Sequence, residues 1–189
     1  MIDITVLSDQ KSNMFESVFS DYGFTCQQVV PPGFGSPFCP PSKLLIIPSC
    51  FAIPRYYKIL SSLEGCKGRI EEFVENGGIV LSYGAGLDGY RYHWLPMGPT
   101  YHRLFTDNEA FKKQDARLTE RVSPASLVFE PGERSCDGYY SGFEGEVAMT
   151  LGDGRPVLIH KSLGKGHVIV SGIFDYPDRK FVEWACSKQ

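Results

Sequence analysis

The sequence predicts an α/β protein: a flavodoxin-like three-layer sandwich with a mainly parallel central sheet and added antiparallel hairpins near the C-terminus. Three observations predict it. Leu44-Leu45-Ile46-Ile47 is an uninterrupted apolar run, as expected of a strand buried on both faces of a parallel sheet. A helical pattern follows, with Ile59, Leu60 and Leu63 as one patch and Ile70, Phe73 and Val74 as another at i, i+3, i+4. Asn76-Gly77-Gly78 then stops the helix, and Ile79 to Ser82 is a second apolar strand.

The elements follow in order. Ile2 to Leu7 reads as a first strand, and Ser8-Asp9 offers a turn and cap ahead of a short helix near Lys11 to Ser20. Gly23 to Val30 is a second strand, and Pro31 to Pro41 is a proline- and glycine-rich loop containing Cys39. The order strand–helix–strand–strand–helix–strand implies right-handed crossovers. Ser126 to Glu130, Glu146 to Leu151, Pro156 to Lys161 and His167 to Ser171 are short β runs. Gly152-Asp153-Gly154 and Gly164-Lys165-Gly166 supply turn signals between the last three. Pro177 to Ser187 closes the chain as a helix. Tyr90 to Arg121, rich in aromatics and charge, gives no clear period. No repeat or linker divides residues 1–189, so one domain is expected.

Composition narrows the function. The 189 residues carry a formal net charge of −3, and no basic run argues for nucleic acid. No stretch approaches the ~20 apolar residues needed to cross a bilayer, and no secretory signal is visible, so a cytoplasmic location is expected. The six cysteines are scattered without a Cys-x-x-Cys pair, which reads as reduced thiols rather than a zinc site or disulfide framework. Thirteen Phe and ten Tyr fit a well-filled core or, more sharply, an aromatic-walled pocket.

Leu45-Ile46-Ile47-Pro48, the helix, Phe73-Val74-Glu75-Asn76-Gly77-Gly78 and the turn Ser82-Tyr83-Gly84-Ala85-Gly86 together resemble class I glutamine amidotransferase-like domains. The branch resembled is the one related to the N-terminal domain of biotin–protein ligase. Asp153-Gly154-Arg155-Pro156-Val157 and Gly164 to Gly172 add to that resemblance. It implies a Gly-x-Cys-x-Gly elbow, where this chain has Gly84 in place of the cysteine. It also implies a base histidine, and the matching position is Phe174 or Tyr176. The oxyanion loop corresponds to Pro48-Ser49-Cys50. A glycine cannot attack an amide, and a tyrosine is a poor base at neutral pH. The resemblance therefore implies a degenerate domain that binds a small molecule or a protein through the cleft remnant, with Ser49, Cys50, Ser82, Tyr83, Gly84, Ala85, Gly86, Phe174 and Tyr176 around it.

The residues themselves leave other chemistry open. Cys50 follows a central strand and is the alternative nucleophile for a hydrolase or amidase, against the plainer reading of a buried thiol. Asp88, Arg91, His93 and His102 cluster after the elbow but match no metal motif, and no metal or cofactor is expected. Gly84-Ala85-Gly86 would suit an anion if a helix started there. Gly84 to Gly89 matches the dinucleotide fingerprint in letters, with Asp107 or Glu109 as the acidic partner, but in the wrong place in the chain. His160 and His167 read as histidines flanking a turn. A third alternative is an assembly subunit, with a homo-oligomer among its forms, docking through the aromatic segment Tyr90 to Phe111.

Overall fold

The computed structural model describes residues 2–10, 14–105, 113–120 and 123–187. Its strands are β1 (Ile4–Leu7), β2 (Cys26–Val29), β3 (Leu44–Ile47), β4 (Ile79–Tyr83), β5 (Thr100–Arg103), β6 (Lys113–Leu118), β7 (Gly132–Ser135), β8 (Gly138–Ser141), β9 (Glu146–Leu151), β10 (Pro156–Leu163) and β11 (Gly166–Ser171). Its helices are α1 (Met14–Asp21), α2 (Leu60–Glu64), α3 (Lys67–Glu75) and α4 (Arg179–Ser187).

Nine strands form one sheet in the order β2-β1-β3-β4-β11-β10-β9-β6-β7, and β5 and β8 form a separate pair. The α/β class is observed. The sheet is mixed rather than mainly parallel: β2, β1, β3, β4 and β11 run parallel, and pairing is antiparallel from β10 to β7. β11, expected among the hairpins, lies beside β4 in mid-sheet. It returns from β10 by a tight hairpin, so its entry is antiparallel on one side and parallel on the other.

The apolar run of β3 shows why the sheet is covered on both sides. Leu44 and Ile46 enter one core cluster with Phe19 of α1 and Phe181, Val182 and Ala185 of α4. Leu45 and Ile47 enter the other with Leu63 of α2 and Ile70 and Val74 of α3. The two-residue period of a strand sends alternate side chains to opposite layers. Gly77 ends α3 with φ +107°, a conformation that other residues seldom adopt.

Two expectations are corrected, on residues 126–130 and on the aromatic segment. Ser126 to Glu130 is not a strand: Pro124–Leu127 is a 3-10 turn begun by Ser123, whose N–H donates to the Ser126 hydroxyl at 3.4 Å and whose carbonyl accepts from the Ser126 N–H at 2.9 Å. The first helix starts at Met14 among the described residues, and Lys11 lies outside them. The aromatic segment after Tyr90 is largely interior. Tyr92, Trp94 and Tyr101 are buried, and Phe51 meets Tyr90, Tyr92 and Trp94 edge-on at 5.5–5.7 Å. These rings fill the core instead of presenting a docking face; Asp107, Glu109 and Phe111 lie outside the described residues.

Candidate functional site

The carboxyl ends of β1, β3, β4 and β11 surround a cleft of about 570 Å³. Val6 and Ser8 come from the end of β1, Pro48 and Ser49 from the end of β3, and Tyr83 from β4. Phe174, Asp175 and Tyr176 follow β11, and Met14 and Phe15 of α1 and Tyr57 complete the wall. The spatial order turns back between β1 and β3, and in open α/β sheets ligands collect at the carboxyl ends where that reversal opens a crevice. The walls are rings packed on one another. Phe15 meets Tyr176 edge-on at 5.2 Å and lies 5.9 Å from Tyr83. The Tyr83 hydroxyl is tied back to the Asp175 carbonyl at 3.1 Å, which fixes this ring as wall rather than as a mobile plug.

Beside the cleft sits a buried carboxyl group. Asp137 lies between β7 and β8, and its backbone is pinned. Its N–H donates to the Gly172 carbonyl at 2.9 Å, and its carbonyl accepts from Leu104 N–H and Tyr101 O–H at 3.0 Å each. The residue is 7% exposed. Oδ2 accepts a 2.9 Å hydrogen bond from the Ser49 hydroxyl, and buried Oδ1 has no hydrogen-bond partner. Burial raises the Asp137 pKa to about 6, with Ser49, Tyr101 and the Arg103 charge pulling the other way.

The same carboxyl explains Gly84. A Cβ at that position would lie 2.6 and 2.7 Å from the two Asp137 oxygens and 2.8 Å from a Tyr101 ring carbon. Glycine is there because Asp137 and Tyr101 occupy the space a side chain would need. Cys50 stands next to it with φ +62°, the one non-glycine residue at positive φ among the described residues. Its N–H donates to the Gly84 carbonyl at 2.7 Å, and this bond, joining the loops after β3 and β4, holds the strained turn. Burial pushes the Cys50 thiol above its ordinary range, and the Asp137 charge adds to that, against the Ser49 hydrogen bond and Arg103. A thiol shifted upward is a poor nucleophile at neutral pH.

Of the nine residues expected around the cleft, Ser49, Tyr83, Phe174 and Tyr176 line it. Cys50 and Gly84 lie behind Ser49. Ser82 is fully buried, with its hydroxyl 3.4 Å from the Tyr83 carbonyl. Ala85 belongs to the core layer under α2 and α3, and Gly86 backs onto Ile53 and Cys50. No helix begins after Gly86, because the chain passes to β5 without one, so neither the anion cradle nor the dinucleotide turn is formed. Asp88 Oδ1 instead accepts from the Arg103 N–H, and His102 pairs with the Ser141 hydroxyl at 2.7 Å. Among the described residues no group of three or more His, Cys, Asp or Glu is gathered as for a metal ion. Sequence reasoning missed Asp137, Tyr57 and Phe15. Cys136-Asp137-Gly138 reads as a turn, and nothing local shows that it folds over Gly84.

A second groove, about 520 Å³, lies at the opposite end of the sheet between the proline-rich loop and α3. Its Arg69 guanidinium is already engaged by the carbonyls of Pro32 and Phe34. Among the described residues no helix is long and apolar enough to cross a membrane.

No family model and no curated protein matches the chain. Solved structures do. A β-galactosidase from Bacillus circulans sp. alkalophilus aligns with a TM-score of 0.58 at 18% identity, over 96% of this chain and 30% of that one. A β-galactosidase from the Antarctic haloarchaeon Halorubrum lacusprofundi aligns at 0.57 and 15% identity, over 99% and 30%. A cytoplasmic protein from Salmonella typhimurium LT2 aligns at 0.53 and 12% identity, over 97% of this chain and 94% of that one. The chain thus spans about 30% of the length of these β-galactosidases.

These findings overturn the resemblance to glutamine amidotransferase-like domains and to the biotin–protein ligase branch: the similar structures carry other names, and no such family model matches. The residues behind it were a glycine-stopped helix, an apolar strand and a small-residue turn, which parallel α/β sheets need for packing whatever their chemistry. The idea of a lost nucleophile falls with it, since Gly84 is accounted for by Asp137. At these identities the likeness establishes a shared fold and nothing further.

Proposed function

We propose that this chain is a single-domain α/β binding protein that takes a small molecule with a flat, largely apolar body into the cleft at the carboxyl ends of β1, β3, β4 and β11. The observation that carries the proposal is the cleft itself. Its volume of about 570 Å³ and its walls of Phe15, Tyr57, Tyr83, Phe174 and Tyr176, with Ser8, Ser49 and Asp175 as polar groups, match a small-ligand site. The order β2-β1-β3-β4-β11, with helices on both faces, supports reading this half of the sheet as flavodoxin-like, with the cleft at its switch point. Two solved Salmonella proteins of similar fold are described as cytoplasmic, which supports the same location here.

The test is an NMR titration of the full chain with p-nitrophenol, an aryl probe of about ten heavy atoms. A fragment that size bound at about 0.4 kcal/mol per atom gives a Kd near 1 mM. Saturable shifts should centre on Ser49, Tyr57 and residues 174–176, and Tyr176→Ala should weaken binding about fivefold. Shifts confined to the opposite groove, or none that saturate, would overturn the proposal.

A further inference from the structure

Resting on the ligand reading of the same cleft, we propose that Ser49 and Asp137 form a nucleophile–base pair acting on small carboxylic esters of that shape. Ser49 is the polar residue that both lines the cleft and touches a buried carboxylate. Its hydroxyl proton already points along a 2.9 Å hydrogen bond to Asp137 Oδ2, inside the reach general-base catalysis requires. Neighbouring alternatives for that hydroxyl are poorer, at 3.5 Å to the Gly84 carbonyl and 3.7 Å to Cys50 Sγ.

Three features of the surroundings favour the pair over a purely structural bond. First, Oδ1 of Asp137 is buried without a hydrogen-bond partner, which leaves Ser49 as the hydroxyl bonded to the carboxylate through Oδ2. A merely structural aspartate in such a place costs stability and returns one hydrogen bond. Second, the pair sits beside a strained turn. Ser49, which lines the cleft, leads directly into Cys50 at φ +62°, and the Cys50 N–H donates to the Gly84 carbonyl. Third, bare Gly84 lets Asp137 lie over the strand end within reach of Ser49. Tyr57 and Tyr176 line the same cavity, and their phenol groups carry O–H donors.

The step balances without a co-reactant. Ser49 Oγ bonds to the ester carbonyl carbon while its proton passes to Asp137 Oδ2. The tetrahedral intermediate collapses, the C–O bond to the alcohol breaks, and Asp137 returns the proton to the leaving alkoxide. Water then attacks the acyl-serine by the reverse arrangement, giving the carboxylic acid and free Ser49. Cys50, with its thiol held up by burial, takes no part.

The experiment pairs a covalent probe with a non-reactive one. The full chain is treated with a p-nitrophenyl-bearing fluorophosphonate, and the adduct is mapped by peptide mass spectrometry. Phosphonylation forms an O–P bond at Ser49 and expels fluoride. Turnover of p-nitrophenyl butyrate is followed by released p-nitrophenolate, and p-nitrophenol binding is measured by NMR on the same preparations. The adduct is expected on Ser49, lost in Ser49→Ala, and slowed about 100-fold in Asp137→Asn, with hydrolysis falling in parallel. Asn keeps the shape and the hydrogen bond to Ser49, so a folded Asp137→Asn protein that still binds p-nitrophenol isolates loss of the base. Binding without any Ser49 adduct or turnover would overturn the pair while leaving the cleft. An adduct on Cys50 or another residue would overturn it as well. Loss of p-nitrophenol binding in the parent would instead refute the ligand reading.

Discussion

Replacing Gly84 with alanine tests whether Asp137, rather than a vanished side chain, dictates the residue at the end of β4. The new methyl would stand 2.6 and 2.7 Å from the Asp137 oxygens and 2.8 Å from Tyr101 Cε2. Carbon–oxygen contact needs well over 3 Å, so the carboxyl must retreat by roughly half an ångström or more. It has little freedom to do so, because the Asp137 backbone is bonded to Gly172, Leu104 and Tyr101, and Tyr101 itself is 1% exposed. Overpacking of this kind costs about 1–3 kcal/mol, and loss of the charge-assisted bond from Ser49 adds about 1.5. A total near 3 kcal/mol lowers the Tm of a chain this size by roughly 6–12 °C. The assay is thermal unfolding followed by circular dichroism, with Gly68→Ala as control. Gly68 lies in α3 with nothing within 4 Å of an added Cβ, so alanine there should leave the Tm unchanged or raise it slightly. In Gly84→Ala/Asp137→Ala, where the oxygens are gone, the two losses should fall short of additive by about 1 kcal/mol. A Gly84→Ala protein melting within about 2 °C of the parent would refute the reasoning.

The same carboxyl leaves a signature in pH. Its pKa is raised from 3.8 to about 6 in the folded chain, so the folded state binds the proton more tightly than the unfolded one. Stability contributed by this group is therefore full below about pH 4, falls as pH rises toward 6, and is level above; the span is roughly 3 kcal/mol. Urea unfolding from pH 4 to 7 should show this descent as the difference between the parent and Asp137→Asn, and a flat difference would contradict it. For Cys50, alkylation by iodoacetamide at pH 7.5 should run slower in the folded chain than in urea, as read by mass spectrometry at that residue. Faster labelling in the folded chain would mean an activated thiol.

The local signals in the sequence were sufficient for the parallel half of the sheet. Leu44 to Ile47, the i, i+3, i+4 patches of α2 and α3, and the glycine stop at Gly77 each follow from a period or a backbone preference carried within a dozen residues. Ser49, Tyr83, Phe174 and Tyr176 were legible as cleft residues because they end or follow strands of that half. The mixed pairing beyond β11 was not, since whether a hairpin strand sits at an edge or mid-sheet depends on which partner it finds. The aromatic stretch after Tyr90 misled because composition does not say whether rings turn inward, and Tyr92, Trp94 and Tyr101 turn inward on Phe51 and Tyr140.

What the amino-acid order settled alone was the layered α/β plan, written in hydrophobic spacing that acts over one element at a time. What only the folded chain decided was the meaning of Gly84 and the identity of the acid beside Ser49. Asp137 is 88 residues from Ser49 in sequence and meets it at 2.9 Å. Its burial, its raised pKa and its unshared oxygen come from the closing of β7, β8 and the loop after β11 over the strand ends. Desolvation is a property of what surrounds a group in space, and no run of neighbouring residues encodes it.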